Sequence, residues 1–466
     1  MSDTIPDSQE PHTLQTAGPR SGRVGVASLL GTFVEFYDFT CYGFLVVYLA
    51  PAFFPAGDDT AGVLASLGVY GVGYLARPLG ALYFGRLGDR RGRRYALLVT
   101  VVGMGSATTL MGLLPTYDQV GVVAPLLLVL VRLTQGFCAG GEIGGAATLV
   151  SESDGGRRRG GLQALIPLGS GLGVAVAPAV VALLVTVLGT GRMADWGWRL
   201  PLLLAAVMTV AVAVFRTRIE DSPEFRSLAR AGAVERSPVR AALLGHWRMI
   251  GVSALLNFTV TMVLGVFVNY LSVYLLSVLG LPALKVYWLS AACLFLGAAG
   301  FPLGGWLTDR FGRRSAMLFG FGGAACLAFP LLYAMKAVAS GGVWPLVGAG
   351  AVYVLALAFS YAATPAMYVT LTQAFPIEVR YTSAAFAYNV GAVAGGGVTP
   401  YLAAWLSDSA GPRAAAWLVV AAALVGTTVM TILTSARRTE RVAPSAVRPD
   451  LGRHSGPNHT PDEAHN

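Results

Sequence analysis

The stretch Gly85-Arg-Leu-Gly-Asp89-Arg-Arg-Gly92-Arg93-Arg94 recurs in the second half of the chain as Gly305-Trp-Leu-Thr-Asp309-Arg-Phe-Gly312-Arg313-Arg314. Each copy is a charged, glycine-bearing turn that interrupts a long apolar stretch. A turn repeated after about half the chain length indicates two related membrane bundles in one polypeptide. This organisation is typical of transporters.

The composition is that of an integral membrane protein. The chain has 466 residues, of which 55% are hydrophobic and 12% charged, and its mean hydropathy is +0.62. A transmembrane helix needs about 20 apolar residues, and twelve such stretches begin near Val24, Gly62, Tyr95, Val122, Leu162, Arg199, Met249, Val286, Met317, Val343, Thr382 and Ala414. We therefore expect an all-α membrane protein with twelve transmembrane helices in two pseudo-symmetric six-helix bundles.

The net charge of +9 indicates membrane topology rather than a nucleic-acid partner. Arginines cluster in the loops that join alternate spans, at positions 86 to 94, 157 to 159, 216 to 248, 310 to 314 and from 437 onward. By the positive-inside rule, both termini are expected to lie in the cytoplasm. The first 22 residues contain Asp3, Asp7 and Glu10, a pattern unlike that of a cleaved signal peptide.

The repeat extends beyond the charged turn and divides the chain. Glu152 to Arg159 is matched by Gln373 to Arg380, and Gly169 to Pro178 is matched by Gly391 to Pro400. We predict a cytoplasmic N-terminal tail, a first six-helix bundle, a cytoplasmic connector, a second six-helix bundle and a disordered cytoplasmic tail at residues 1–22, 23–216, 217–247, 248–436 and 437–466, respectively.

Chemistry at a metal or a cofactor is not expected. The four cysteines fall inside predicted spans without the short spacings of a metal site, and we interpret them as small apolar fillers: Cys41, Cys138, Cys293 and Cys326. A membrane-bound enzyme or a sensor would need a nucleophile–base pair, a metal cluster or a soluble output domain. The sequence offers none of these, so we predict no cofactor and no enzymatic activity.

Ionisable residues inside the predicted spans are confined to the first half of the chain. Glu35 and Asp38 lie midway along the first span, Arg77 in the second, and Arg132 and Glu142 in the fourth. Such residues are costly in a bilayer and mark candidate functional sites. Because Glu35 and Asp38 are three residues apart, they share a helix face.

These charges predict a site for a proton. Arg132, Gln135 and Glu142 fall on one stripe of the fourth span, which should face the bundle interior. Three carboxylates stand against two guanidinium groups, so one carboxylate lacks a cationic partner and is able to take up and release a proton. We predict Asp38, Glu35 and Glu142 as proton-coupling residues. A structural ion pair is the alternative for Arg77, Asp38 and Arg132, and a helix-pinning role is the alternative for Glu142.

The second half offers neutral groups instead. The seventh, tenth and eleventh predicted spans carry Asn257, Asn269, Tyr270, Tyr274, Tyr361, Thr364, Tyr368, Thr372, Tyr388 and Asn389. Aromatic stripes often serve only packing. Together, however, these groups would suit a small polar solute held between the two halves.

The repeated turn resembles the signature of the major facilitator superfamily, and the resemblance covers the chain from Val24 to about Arg438. Several segments resemble its metabolite:proton symporter family, namely Gly31-Thr-Phe-Val-Glu35-Phe-Tyr-Asp38-Phe-Thr-Cys-Tyr42-Gly43, Arg77-Pro78-Leu-Gly80, Gln135-Gly136, Gly140-Gly141-Glu142, Asp221-Ser-Pro223-Glu-Phe225, Arg380-Tyr-Thr and Tyr388-Asn389.

The resemblance implies a symporter of the bacterial inner membrane that imports an organic acid or a zwitterionic metabolite with protons by alternating access. Its expected partners are that small molecule, protons and the lipid bilayer, and we expect a monomer. A proton-coupled exporter of a small molecule or drug is the alternative. Drug antiporters usually carry Gly-Pro-x-x-Gly-Gly in the fifth span, which the segment from Gly169 to Pro178 does not match.

Two sets of site residues follow. The candidate substrate-binding residues are Arg132, Arg77, Gln135, Tyr42, Asn269, Tyr361, Tyr368 and Asn389, with Arg132 expected to neutralise a substrate carboxylate. The resemblance implies a cytoplasmic gate formed by Asp89, Arg93, Glu152, Arg159, Asp309, Arg313, Gln373 and Arg380. Gln373 stands where the family usually has an acid, so the second-half lock is expected to be weaker or to rest on Glu378.

Overall fold

The computed structural model describes residues 19–54, 59–153, 159–338, 341–411 and 413–442, which form helices joined by short turns. The first helix begins at Pro19, inside the predicted N-terminal tail, and the last ends at Val442, beyond the predicted end of the second bundle. The rest of both predicted tails lies outside the described residues.

The first half contains six long helices, called here the first to sixth spans. They run over Pro19–Phe53, Asp59–Arg91, Arg93–Leu113, Val123–Ser153, Leu165–Arg192 and Arg199–Thr217. Two short helices precede the fourth and fifth spans, at Tyr117–Val120 and Arg159–Gln163, and a π-helical turn links the fifth span to the sixth, at Met193–Gly197.

The connector and the second half are also built from helices. The connector carries the short helices Pro223–Arg230 and Pro238–Gly245. The seventh span comprises Trp247–Leu264, Gly265–Tyr270, Leu271–Val273 and Tyr274–Val278, and the eighth and ninth lie within Ala283–Gly297 and Gly300–Val338. The tenth span is Val343–Gln373, and a 3-10 turn follows it at Ile377–Val379. The eleventh comprises Arg380–Ala392, Val393–Gly397 and Val398–Ala410, and the twelfth is Ala415–Val442.

Nine helical segments of the described chain are long and apolar enough to cross a membrane. One of them, Ala283–Val338, contains two predicted spans, the eighth and the ninth. The second and eleventh spans are not among the nine. The second carries charges along its length and has a low mean hydropathy, and the eleventh begins with the polar stretch Arg380-Tyr-Thr-Ser. These two spans pack against each other across the interface between the halves.

The last glycine of each repeated turn has the same backbone role. Gly92 has a φ of 106° and Gly312 a φ of 85°. Residues with a side chain rarely adopt such positive values, because their Cβ clashes with the backbone. Glycine at this position therefore lets the second span turn directly into the third, and the eighth into the ninth.

The glycines of the fourth span allow it to approach two other helices. A Cβ on Gly140 would overlap the carbonyl of Arg77 in the second span, and a Cβ on Gly144 would overlap the backbone of Ala385 in the eleventh. Small residues at such spacing permit close packing of helices in lipid. The fourth span thus joins its own half to the other half.

Candidate functional site

A cavity of about 130 Å³ lies between the two halves. Its first-half wall includes Phe36, Phe39, Thr40, Tyr70, Tyr74 and Arg77, and its second-half wall includes Asn257, Asn269, Phe301, Tyr361, Tyr368 and Tyr388. A mostly aromatic wall with a few polar groups is typical of small-molecule sites. The cavity therefore has the position and the lining of a solute site.

Arg77 is the one charged residue among the described residues that line this cavity. Its Nη2 atom lies 2.5 Å from Oε1 of Glu35, and both side chains are buried. The guanidinium carbon also lies 4.3 Å from the ring centre of Phe39 and 5.1 Å from that of Tyr74. Ring faces attract cations, so Arg77 is held by one carboxylate and two rings.

The aromatic residues of the second half face Arg77 across the cavity. The rings of Phe301 and Tyr361 are stacked with centres 4.2 Å apart, and those of Tyr368 and Tyr388 lie 5.9 Å apart. The amide nitrogen of Asn257 donates to the carbonyl of Tyr388 at 2.6 Å. Its amide oxygen is buried and has no partner in the described part of the chain, so it is available to a donor group of a bound solute.

A series of hydrogen-bonded polar side chains lies behind the first-half wall of the cavity. Arg132 donates to Gln135, the Gln135 amide donates to Oγ1 of Thr108 at 2.6 Å, and Thr108 Oγ1 bonds to Oδ2 of Asp38 at 2.8 Å. The guanidinium carbon of Arg132 lies 4.3 Å from the ring centre of Phe39. Arg132 and Asp38 are thus buried and linked through two neutral side chains rather than by direct contact.

Glu142 belongs to a third buried arrangement. Its carboxylate pairs with Arg216 through two hydrogen bonds and also accepts from Oγ1 of Thr100 at 2.8 Å. Arg216 also donates to the carbonyl of Leu97 at 2.6 Å. The prediction that three buried acids face only two buried arginines is wrong, because it assigned Arg216 to a loop. The Arg216 side chain lies at the end of the sixth span, is buried and supplies a third cation.

The repeated turns meet the opposite half at one end of the bundle, called here the motif end. Asp89 accepts hydrogen bonds from the backbone N–H groups of Tyr381 and Thr382 at 3.2 and 2.9 Å, and from Thr382 Oγ1 at 2.7 Å. A carboxylate at a helix N-terminus satisfies free N–H groups and complements the helix dipole. Asp89 thus holds the start of the eleventh span.

Asp309 makes the corresponding contact in the other direction. It accepts from the backbone N–H groups of Gly160 and Gly161 at 2.7 and 2.8 Å, at the start of the short helix before the fifth span. A Cβ on Gly160 would come 2.5 Å from the carbonyl of Gly305. Each repeated aspartate therefore binds the N-terminus of a helix that belongs to the other half.

Glu152 connects arginines from both halves. It accepts from Arg93 through two hydrogen bonds at 3.0 and 3.1 Å, and Nη1 of Arg380 lies 3.3 Å away. Arg93 also donates to the carbonyl of Ile377 at 2.9 Å. Two-point contact between a guanidinium and a carboxylate is a strong form of ion pair, so Glu152 is the centre of the motif-end network.

The connector completes this network, a role that the sequence did not reveal. Ser222 donates to Glu152 at 2.5 Å, and Glu224 lies 2.7 Å from Arg380 of the second half. Asp221 accepts from the first backbone N–H of the third span at 3.0 Å. The signal was present in the stretch Asp221-Ser-Pro-Glu-Phe, but spacing alone does not show that it folds back onto the gate.

Comparison with known proteins identifies the fold. Residues 28–393 match the family model of the Major Facilitator Superfamily. The chain belongs to this superfamily. The solved structure of the proton:xylose symporter XylE bound to 6-bromo-6-deoxy-D-glucose superposes with a TM-score of 0.73 at 16% identity, covering 89% of this chain and 95% of that one. The predicted twelve-helix, two-bundle fold is thereby confirmed.

Curated relatives of this major facilitator protein are transporters. It is 36% identical over 426 residues to the "Inner membrane metabolite transport protein YhjE" of Escherichia coli (strain K12), covering 88% of this chain and 93% of that protein. It is 34% identical to the "Proline/betaine transporter" of the same strain (82% and 77%) and 32% identical to the "Citrate-proton symporter" of Klebsiella pneumoniae (84% and 87%). The protein is therefore a multi-pass membrane transporter and not an enzyme.

The predicted substrate-binding residues of this major facilitator protein fall into two groups. Arg77, Asn269, Tyr361 and Tyr368 line the cavity. The others are not in the described lining: Arg132, Gln135, Tyr42 and Asn389. Asn389 instead donates to the carbonyl of Gly140 at 2.8 Å and joins the two halves.

Tyr70 and Tyr74 line the cavity beside Arg77 and are not among the predicted site residues. Their spacing of 4 and then 3 residues places all three on one helix face, and this signal was available in the sequence. Tyr42 lies behind them, with its ring centre 4.4 Å from the guanidinium carbon of Arg132. Tyrosines and arginines of the first half thus form two consecutive layers.

The remaining predicted gate residues line two small pockets at the motif end. Arg159 and Gln373 line one small pocket between the start of the fifth span and the end of the tenth. Arg313 lies against Ser253 and Thr370 within the second half. The described network is therefore built around the first-half acids Asp89 and Glu152.

Proposed function

We propose that this protein is a proton-coupled symporter that imports a small organic acid or zwitterionic metabolite by alternating access. The main support is the cavity between the halves, where Arg77 offers a cation to a carboxylate and is backed by the buried acid Glu35. Buried carboxyl groups beside a binding site are suitable proton acceptors. The printed names of its relatives, among them a citrate-proton symporter, agree with this class.

The proposed orientation places the motif end and both termini in the cytoplasm of a bacterial cell, since the arginine-rich loops gather at that end. The contacts of Asp89, Glu152 and Asp309 then close the cytoplasmic side. Asn269, far along the seventh span from the motif end, is exposed. In this orientation, the closed motif end supports the proposal of an outward-facing state, and we propose that the protein takes up substrate from outside as a monomer.

Asp38 and Glu35 are the proposed proton acceptors. Asp38 lacks a salt bridge among the described residues, and its Oδ1 atom is buried without a hydrogen-bond partner there. Arg132 is a second buried cation nearby: its guanidinium and that of Arg77 both contact the ring of Phe39. Glu142 remains a candidate, although its pairing with Arg216 favours a structural role.

The decisive experiment uses purified protein reconstituted in liposomes. Radiolabelled organic acids and betaines are offered with and without an imposed pH gradient. Accumulation driven by external acid is expected for the true substrate. If an imposed gradient instead drives the solute out in exchange for protons, the protein is an exporter and the import proposal is wrong.

Two variants test the assigned roles. Asp38→Asn should abolish proton-driven accumulation, whereas Asp118→Asn, the same change at an exposed position of the short helix Tyr117–Val120, should leave it intact. Normal accumulation by Asp38→Asn would exclude Asp38 as an essential coupling acid. Arg77→Gln should reduce transport of an anion, because Arg77 is the cation of the described cavity lining; an unchanged apparent affinity for the substrate would exclude Arg77 from binding.

A further inference from the structure

Resting on the proposed function, we infer that Glu35 and the substrate compete for Arg77, so that a solute with one carboxylate and an otherwise uncharged body binds together with one proton on Glu35. Arg77 lines the cavity and Glu35 lies behind it, 2.5 Å from the guanidinium. The only cation of the described lining is therefore already occupied by an anion of the protein.

Charge balance explains why a proton must accompany the substrate. Before binding, Arg77 and Glu35 together carry no net charge. A second carboxylate on Arg77 would place two negative charges beside one positive charge in a cavity with a mostly aromatic wall, which is costly. A proton that enters from the outside water and binds a carboxylate oxygen of Glu35 breaks the Arg77–Glu35 pair and restores neutrality once the substrate carboxylate has bound.

Glu35 has room to accept this proton. One of its two carboxylate oxygens, Oε2, is buried and has no hydrogen-bond partner within the described structure. The charged groups that act on Glu35 are Arg77 from the second span, Glu142 from the fourth and Arg216 from the sixth. The titratable hydroxyl groups of Tyr368 and Tyr388 face it from the tenth and eleventh spans. Because Glu142 and Arg216 neutralise each other, Arg77 is the group whose release decides the charge of Glu35.

Charge balance also selects the class of substrate. A dicarboxylate or tricarboxylate needs a second cation, but Arg132 is screened from the cavity by Phe39 and Tyr70, whose ring centres lie 4.3 and 5.1 Å from its guanidinium carbon. The rest of the wall offers rings, hydroxyl groups and amides, such as Tyr361 and Asn257. These groups suit an uncharged body that is partly apolar.

The first test compares substrate classes in liposomes with an imposed pH gradient. The probes are three monocarboxylates (lactate, benzoate and shikimate), the dicarboxylate succinate, the tricarboxylate citrate and the zwitterion glycine betaine. Accumulation above that of protein-free liposomes is expected only for monocarboxylates, since protonated weak acids such as benzoic acid also cross bilayers unaided. Accumulation of citrate, succinate or betaine but of no monocarboxylate overturns this inference and leaves the proposed symport standing. If no probe accumulates in response to the gradient, the proposed function itself fails.

The second test measures the affinity of the full-length protein for the transported probe as a function of pH. In the wild type, binding should weaken by about tenfold per pH unit once Glu35 is ionised, because one proton must be taken up for each substrate bound. Glu35→Gln cannot compete for Arg77, so its affinity should be independent of pH and at least as high as the best value of the wild type. Glu235→Gln, the same change in the connector, should behave like the wild type.

A double variant that lacks both buried charges shows whether a folding defect, rather than the loss of Glu35, explains the result. Glu35→Gln leaves Arg77 buried without its carboxylate, whereas the double variant Glu35→Gln/Arg77→Gln removes both charges and should fold. The double variant should bind the monocarboxylate at least a hundredfold more weakly than the wild type at acidic pH. The inference is overturned if Glu35→Gln keeps the tenfold slope, or if the double variant still binds with that slope, since another acid would then carry the proton.

Discussion

The buried ion pair between Glu142 and Arg216 offers a direct way to separate a structural acid from a coupling acid. The change is Glu142→Gln, which removes the negative charge and keeps the size of the side chain. Arg216 is 1% exposed, so its guanidinium would remain buried without a counter-charge. We expect the main defect of this variant to be a loss of folding stability rather than a loss of proton coupling.

The size of the effect follows from the contacts. Breaking a buried ion pair by removing one partner costs about 3–5 kcal/mol. Arg216 would keep its hydrogen bond of 2.6 Å to the carbonyl of Leu97, and the new amide oxygen is able to accept one hydrogen bond. The lower limit, about 3 kcal/mol, therefore applies, which corresponds to more than a hundredfold change in the unfolding equilibrium.

The assay is a double-mutant cycle on protein purified in detergent, read as the apparent thermal unfolding midpoint, with proton-driven uptake measured on the same variants in liposomes. Glu142→Gln should lower the midpoint by several degrees. Glu142→Gln/Arg216→Met should recover at least half of that loss, because no unpaired charge remains. A normal midpoint for Glu142→Gln combined with lost proton-driven uptake would refute the structural assignment and make Glu142 a coupling residue.

Two further predictions concern the motif end and the glycine contacts. Asp89→Asn should shift the protein towards states open at the motif end more strongly than Asp309→Asn, measured as labelling of a reporter cysteine on that side; equal labelling would contradict it. Gly144→Ala should slow transport at least tenfold because its Cβ overlaps Ala385, whereas Gly322→Ala, which meets no atom within 4 Å, should not. Equal rates for both glycine variants would show that this contact does not limit transport.

Much of the helical framework was predictable, because membrane spans follow from length and hydropathy alone. The repeated turn also led to the two-bundle fold, and its glycines adopt the shared positive φ that the repeat implies. The second and eleventh spans are the instructive cases. Their polar residues lower the hydropathy, and these residues are needed because the two helices meet at the interface between the halves.

The partners of the buried charges were less predictable. Arg216 follows an apolar run and precedes a polar connector, so its position reads equally well as the end of a span or the start of a loop. Its burial depends on Glu142, which is far away in sequence. Likewise, Arg77 and Arg132 both lie inside spans, but only the packing of the aromatic rings decides that Arg77 faces the cavity while Arg132 does not.

The two repeated aspartates make the same kind of contact in unequal surroundings. Asp89 is 1% exposed and accepts three hydrogen bonds, next to the buried pair of Arg93 and Glu152. Asp309 is exposed, and one of its two bonds, to Gly161, is open to solvent. Since water competes for exposed polar contacts and screens their charges, Asp309 should contribute less to closure than Asp89 does. Rocking of the halves should therefore begin by separating Asp309 from the fifth-span side, while release of Asp89 and Glu152 forms the main barrier to opening.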